Sequence, residues 1–421
     1  MRPALLGILL VFSSACSSSE DAQRGGPTPP RGRLSPPPVD LDEAAPPAPE
    51  DPSELLFSRG LAHQLDLQLE PDPWRQLGST TPTEVEVPGT LRFDGGLLKD
   101  VNVSLRGRFG SYQPVWQRPK WKLDLNDLAP DRRLYGQEAL GLNNARRDCS
   151  YLRDVGGLEI FARAGVPTPR TGWARLRVNG ADYGLHPMPE WLDDRFLVRH
   201  WAEPEGNLYD GKYALDSDGD SLLLDFRSET WTLFELEEGV DVGLEDIHAL
   251  TVAAETHYDR PTWMEATGAL VDWPEVQRFL AAELVAGQVD GYTLNRNNYY
   301  VYFDPADGKA ELIPWDLDTC FLRDTEWGVD WDRPIGILAH GCLEDPECAA
   351  GWAAETRALV AKLEAEDFDG WIAREAEFVR AQLPTDPREE CTAEDIAQEH
   401  DELMIRLPEL RAAALDFWSA R

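Results

Sequence analysis

Between Asp290 and Asp318 the chain reads Asp-Gly-Tyr-Thr-Leu-Asn-Arg-Asn-Asn-Tyr-Tyr-Val-Tyr-Phe-Asp-Pro-Ala-Asp-Gly-Lys-Ala-Glu-Leu-Ile-Pro-Trp-Asp-Leu-Asp. The runs 299–303 and 310–313 favour strands, and the Asp, Pro and Gly residues between them favour a turn. The prediction is a hairpin, which brings its two far ends together. Asn297 and Asn298 at one end are then set to face Asp316 and Asp318 at the other. Ahead of it, 273–289 carries Val276, Phe279, Leu280, Leu284 and Val285 on one helical face, the pattern of a buried helix.

The rest of the chain falls into two parts around this stretch. Residues 61–70 alternate with Leu65, Leu67 and Leu69 on one face, and 71–77 reads as a short helix. Strands are predicted at 84–87, 89–93, 101–106 and 121–125, with a turn at Asp94-Gly95-Gly96. A helix follows over 150–164, ended by Gly165. The strands 173–178 and 183–188 flank Asn179-Gly180, a strong hairpin signal. Beyond Glu190 the chain is mostly helical, and wholly so from about residue 348. The fold class is α+β: a β-rich part with one main helix, then a larger helical part carrying a hairpin. No internal repeat is present.

The first residues set the compartment. Met1-Arg2 is followed by an apolar run over 5–12 and then Ser13-Ser14-Ala15-Cys16. The run is too short to span a bilayer and suits a signal peptide. Small residues before a cysteine match a bacterial lipoprotein signal, which makes residues 1–16 the leader and Cys16 the lipidated terminus. Plain signal cleavage is the rival reading. Residues 17–53 are rich in Ser, Pro and acidic residues and read as a disordered tether. The folded body is expected over 54–421, exported and held to the cell envelope by its lipid; Ser17 after Cys16 favours the outer membrane. Five cysteines remain beyond Cys16, an odd number, so one is free or pairs outside the chain. Cys342 and Cys348 are close enough to close a small loop.

The 421 residues carry 76 acidic and 40 basic side chains, a net charge of −36. That argues against nucleic acid as a partner, since phosphate contacts need clustered Lys and Arg. An anionic ligand would need local cations or a metal. Oxygen donors gathered at the hairpin ends suit a hard cation, Mg²⁺ or Mn²⁺. Phosphoryl transfer uses such a set: an Asn and an Asp on the metal and a further Asp near the acceptor hydroxyl. Turn capping would use the same residue types.

The strings Asn297-Asn298-Tyr299-Tyr300-Val301-Tyr302 and Ile313-Pro314-Trp315-Asp316-Leu317-Asp318 resemble the signature of the CotH kinase family. Leu105-Arg106-Gly107-Arg108, Arg118-Pro119-Lys120-Trp121-Lys122-Leu123, Leu142-Asn143-Asn144 with Leu152-Arg153, and Val178-Asn179-Gly180-Ala181-Asp182-Tyr183-Gly184 resemble other family segments, in order. The resemblance covers about residues 60–415. It implies a two-lobed protein-kinase-like fold, with an N-lobe over about 54–190, a C-lobe over about 191–421 and a metal-binding hairpin. It implies ATP with Mg²⁺ or Mn²⁺ as cofactors and a Ser/Thr hydroxyl of an exported protein as acceptor. Residue by residue, Asp316 would hold metal, with Asn298 as second ligand (Asn297 the alternative) and Asp318 in support. Asp290 would orient or deprotonate the acceptor. Lys122 would pair with the α/β-phosphates, with Lys120 as alternative, held by Glu159. Arg106 would assist from a weak glycine-rich segment over 106–111.

Other features carry less. Asp216-Ser217-Asp218-Gly219-Asp220, with Asp225, resembles a calcium loop but lacks the glutamate an EF-hand needs at its twelfth position. The tryptophans read as packing residues, and His186 as structural. No pattern of a zinc site or a serine hydrolase appears. Two alternatives to a protein kinase remain: a surface binding or assembly protein without catalysis, because ATP is scarce outside the cytoplasm, and a kinase of small molecules.

Overall fold

The computed structural model describes residues 39–40, 51–82, 85–108, 110–146, 148–215, 221–258, 260–322, 328–383, 388 and 391–421. The leader with Cys16, most of the tether and the acidic loop 216–220 lie outside them.

An eight-stranded sheet forms the first part. It comprises β1 (Val39–Asp40), β2 (Ala62–Gln68), β3 (Glu86–Phe93), β4 (Gly96–Arg106), β5 (Lys120–Asp124), β6 (Ala139–Leu142), β7 (Thr171–Val178) and β8 (Ala181–Pro189). The main path runs β6-β5-β4-β3-β2-β7-β8, with β1 beside β4. The β2–β7 pair is parallel and the other neighbours along that path are antiparallel. The path curls back on itself: beyond β6, Asn143 N donates to Pro187 O of β8 at 2.8 Å. Inside the curl, Leu65, Leu67, Val101, Val103, Trp121, Leu123 and Tyr183 are buried together. The alternation read at 61–70 is this packing, with Leu65, Leu67 and Leu69 each 1% exposed. The predicted strands around 84–93 form one strand, β3, whose pairing with β4 shifts register between Gly89 and Leu91. Short helix α1 (Pro71–Gln76) follows β2.

Helix α2 (Arg153–Ala164) connects β6 to β7 and ends at Gly165 with φ 82°, a left-handed cap that glycine takes without steric cost. The later part holds α3 (Asp194–His200), α4 (Glu245–Thr256), α5 (Trp263–Gly268), α6 (Trp273–Ala286), α7 (Tyr292–Asn295), α8 (Ile337–Glu344), α9 (Pro346–Ala365), α10 (Phe368–Gln382) and α11 (Ala393–Ser419). Asp272 caps α6 by accepting from Glu275 N, and Gly287 ends it. Helix α6 lies at the centre, packed on α2, α9 and α11. The predicted hairpin is β13 (Tyr299–Asp304) and β14 (Lys309–Pro314), with Tyr299 opposite Pro314.

Several short strands escaped the sequence reading: β6, the two-residue pair β10 (Ala214–Leu215) and β11 (Ser221–Leu222), and two that join the hairpin. β9 (Asn207–Asp210) and β12 (Glu235–Glu238) extend the hairpin into a four-stranded sheet, β12-β9-β13-β14. Each is four residues long, and β12 is Glu-Leu-Glu-Glu, too short and too acidic to read as a strand. Disulfides join Cys342 to Cys348, as expected, and Cys149 to Cys391; Cys320 is buried and free. The architecture is α+β, and among the described residues no helix is long and apolar enough to cross a membrane.

Candidate active site

The hairpin does what its ends require. Trp315 N donates to Asn298 O at 3.1 Å, which ties the Asn-Asn end to the Asp-Leu-Asp end. Both Asn298 (φ 55°) and Asp316 (φ 49°) occupy the left-handed region. Non-glycine residues are uncommon there, and such strain gathers at functional sites.

On the other side stands β5. Its pairing sets Arg106 opposite Lys120 and Ser104 opposite Lys122. Directly opposed residues, and residues two apart on a strand, share a face. Both lysines therefore point the same way, about 7 Å apart along the strand. The strand end nearest the carboxylates carries Lys120. Its Nζ lies 2.6 and 2.8 Å from the two oxygens of Asp316 and 3.2 Å from Asp318. Lys122 instead pairs with Asp124 at 3.2 Å and lies over the Trp191 ring. Lys120, the alternative to Lys122 in the sequence reading, is thus the residue that meets the carboxylates, while Lys122 lines the cleft.

The expected Glu159–Lys122 pair is not formed. Glu159 binds Arg163 at 2.9 Å and Arg59 at 3.5 Å. It lines a separate cavity of about 410 Å³. The acid that α2 brings to the site is Asp154. Its Oδ1 accepts from Leu317 N at 2.9 Å and its Oδ2 from Asn143 Nδ2 at 2.6 Å. Five residues turn a helix by roughly 140° beyond a full circle, so Asp154 and Glu159 cannot share a face. The sequence carried a signal for Asp154: it lies four and seven residues before Leu158 and Phe161, on the buried stripe.

Asp290 is held by three amides. Asn295 Nδ2 donates to its Oδ1, Asn297 Nδ2 reaches the same oxygen at 3.4 Å, and Asn298 Nδ2 reaches Oδ2 at 3.2 Å. Burial raises its pKa, against these hydrogen bonds and with a contribution from Asp316. Burial also pushes Asp318 up to about 7, helped by Asp316 and Asp154 and opposed by Lys120. Asp154 rises to about 6 for the same reasons of burial and the Asp316 charge. Asp316 is also buried, but Lys120 and then Arg106 outweigh that and hold it below the ordinary range.

Asp290, Asn297, Asn298, Asp316 and Asp318 open on one cleft of about 980 Å³. Trp191, Tyr300 and Trp315 give it flat aromatic walls. Arg106 lies over the rings of Trp191 and Trp315, and its Nη1 is buried with no hydrogen-bond partner among the described residues. Gly141 leaves the room, for a Cβ there would come 3.0 Å from that nitrogen. The weak glycine-rich segment borders the cleft through Gly107, Arg108, Gly110 and Ser111.

A family model for the CotH kinase protein matches residues 103–389, more than half of the chain. The chain belongs to the CotH kinase family. It is similar to the inner spore coat protein H of Bacillus subtilis (strain 168), with 26% identity over 265 residues, covering 61% of this chain and 68% of that protein. The matched span contains every side chain placed in the cleft above. The segment Leu142-Asn143-Asn144 mounts the site. Asn143 holds Asp154, and Asn144 Nδ2 donates to Ser111 O and Arg118 O at 2.9 and 3.0 Å. Outside the site, His186 is fully buried beside Gly184 O, as a structural histidine should be. Asp225 is committed to the core, accepting from Ile337 N and Tyr292 Oη, so it is no surface calcium ligand.

The donor set fits a hard divalent cation. Asp154, Asp290, Asp316 and Asp318 gather around Lys120 and Arg106, the cations that act on Asp316. Burial first, and then the charge of Asp316, raises Asp318 and Asp154, and a cation would relieve the second of these. Among the described residues no three His, Cys, Asp or Glu side chains converge as a metal cage. Mg²⁺ asks for less, taking one or two carboxylates with waters and phosphate oxygens.

Proposed function

We propose that the cleft binds ATP with Mg²⁺ or Mn²⁺ and transfers phosphate to a Ser or Thr hydroxyl of an exported protein. The observation that carries this reading is one cleft that joins Asp316 and Asp318, both bound by the buried Lys120, to Asp290 and Asn298 across the hairpin ends. The sheet with α2 acts as the N-lobe and the helical part as the C-lobe of a kinase-like arrangement. The aromatic walls suit a purine, and the unpartnered Arg106 Nη1 and the cleft-lining Lys122 suit phosphate oxygens. Asp316, Asp318 and Asn298 would hold the metal, which when bound supplies neutralising charge between phosphates. Lys120 keeps Asp316 ionised, and Asp290 orients the acceptor hydroxyl and receives its proton. The relative's name, a spore coat protein, supports a place at a surface. With a leader over 1–16, a lipid on Cys16 and a tether over 17–53, the body would stand at the cell envelope, on the outer membrane.

One observation favours a second reading, a surface binding protein without catalysis. Lys120 already donates to both oxygens of Asp316, so a cation there competes with it for the same carboxylate. Thermal melts of the purified chain with ATP, Mn²⁺ and both together separate the two. Ligand at 100-fold its Kd stabilises by about 2.7 kcal/mol. A shift that requires both ligands and is lost in Asp316→Asn supports the nucleotide site. No shift under any condition selects the binding protein.

A further inference from the structure

Glu283 lies in the last turn of α6, is 1% exposed, and among the described residues faces no cationic side chain. Burying a carboxylate without a counter-ion is costly, so its presence in a central helix asks for a reason. Its two oxygens accept from consecutive main-chain amides, Tyr292 N at 2.7 Å and Thr293 N at 2.9 Å. These are the first two N–H groups of α7, which have no partner within that helix. Burial pushes the carboxyl up to about 7 even against these bonds. Gly291 completes the fit: a Cβ there would come 2.0 Å from Glu283 Oε1. Its φ of −95° is open to any residue, so the need for glycine is one of space alone.

Asp290 immediately precedes this anchor. The same helix end also holds the strand end opposite. Gln288 Oε1 accepts from Thr319 Oγ1 at 2.5 Å, and Ala286 O from Phe321 N at 2.7 Å. The segments carrying Asp290 and Asp318 thus share one mount. We propose that Glu283 is the positioning residue for Asp290: by fixing the amides of Tyr292 and Thr293 it sets where the Asp290 carboxylate enters the cleft. Its effect on rate rests on the phosphotransfer reading; its effect on placement does not.

The test uses the full chain, with amide hydrogen exchange read over 290–298, in wild type, Glu283→Gln and Gly291→Ala. Glutamine offers one acceptor where two are needed, and alanine displaces the carboxylate from the other side. Losing one such bond should speed local exchange about 10-fold, with α9 and α11 unchanged. Unchanged exchange over 290–298, or an equal rise in α9 and α11, overturns the proposal. In the transfer assay both variants should lose kcat, by about 10- to 100-fold, with KM for ATP held within about twofold. A rise in KM at constant kcat overturns it too. A wild type with no transfer sinks the phosphotransfer reading, and the exchange result then decides the placement by itself.

Discussion

Lys120 and Lys122 differ by one pleat and by almost everything else. Lys120 is 1% exposed and bound to two carboxylates, and its pKa is raised because Asp316 and Asp318 outweigh the burial that would lower it. Removing one partner of a buried ion pair leaves the other uncompensated, at about 3–5 kcal/mol. Lys120→Met should therefore lower stability by that amount in urea unfolding. Lys122→Met, which breaks a half-exposed pair, should cost about 1 kcal/mol or less. Equal losses would show that Lys120 is not the buried partner. Sequence alone could not separate the two, because residues two apart on a strand share a face and only the distance to the hairpin tells them apart.

Among elements, α2 does the most positional work. Asp148 organises its start by accepting from Ser150 N and Arg153 N, each at 3.0 Å. His400 Nε2 of α11 meets Ser150 O at 2.9 Å, and Cys149 is bridged to Cys391 just ahead of α11. Cutting that bridge with Cys149→Ser and Cys391→Ser should lower stability by about 2–5 kcal/mol in urea, while a chain lacking the six-residue Cys342–Cys348 loop should lose less. The reverse order would deny α11 its bracing role. The hairpin, the 61–70 alternation, α2 and α6 were legible because each is long or strongly periodic. β6, β9 and β12 were not, being four residues each and ordered by their neighbours rather than by their own pattern. The same limit governed the site. Asn298, Asp316 and Asp318 flank a local hairpin, with Asp290 a short step before it, and could be placed from it. Asp154, Trp191 and the pairing of Lys120 depend on contacts between distant segments. Glu159 does not reach β5 because helix phase, which the sequence does supply, turns it roughly 140° from the face that carries Asp154.

For the whole molecule, the acidic excess is partly buried. Asp154 and Asp193 are raised to about 6, and Glu238, Glu283, Glu311 and Asp318 to about 7, in each case first by burial. A carboxyl raised in the folded state contributes stability that is complete below its unfolded pKa, near 4, and is lost as pH climbs through 6–7. His200, lowered to about 3 by burial and then Arg199, acts in the opposite sense, contributing stability above about 6.5 that is lost on acidification. Because the carboxyls outnumber the histidine, the melting temperature should be highest near about pH 4 and fall as pH rises to about 7. A melting temperature that keeps rising to pH 8 would mean that these carboxyls are solvated.

The Cys149–Cys391 bridge also orders the protein's manufacture. Its halves are 242 residues apart, so the first thiol emerges long before its partner is synthesised. Cys320, Cys342 and Cys348 all emerge in the interval. A short ring such as Cys342–Cys348 can close at once, which withdraws two competitors, and packing of α6 against the segment that carries Cys320 withdraws the third. The long bridge can then form only once residue 391 is present, so a chain cut short of it would keep Cys149 as an unmated thiol, a handle for quality control.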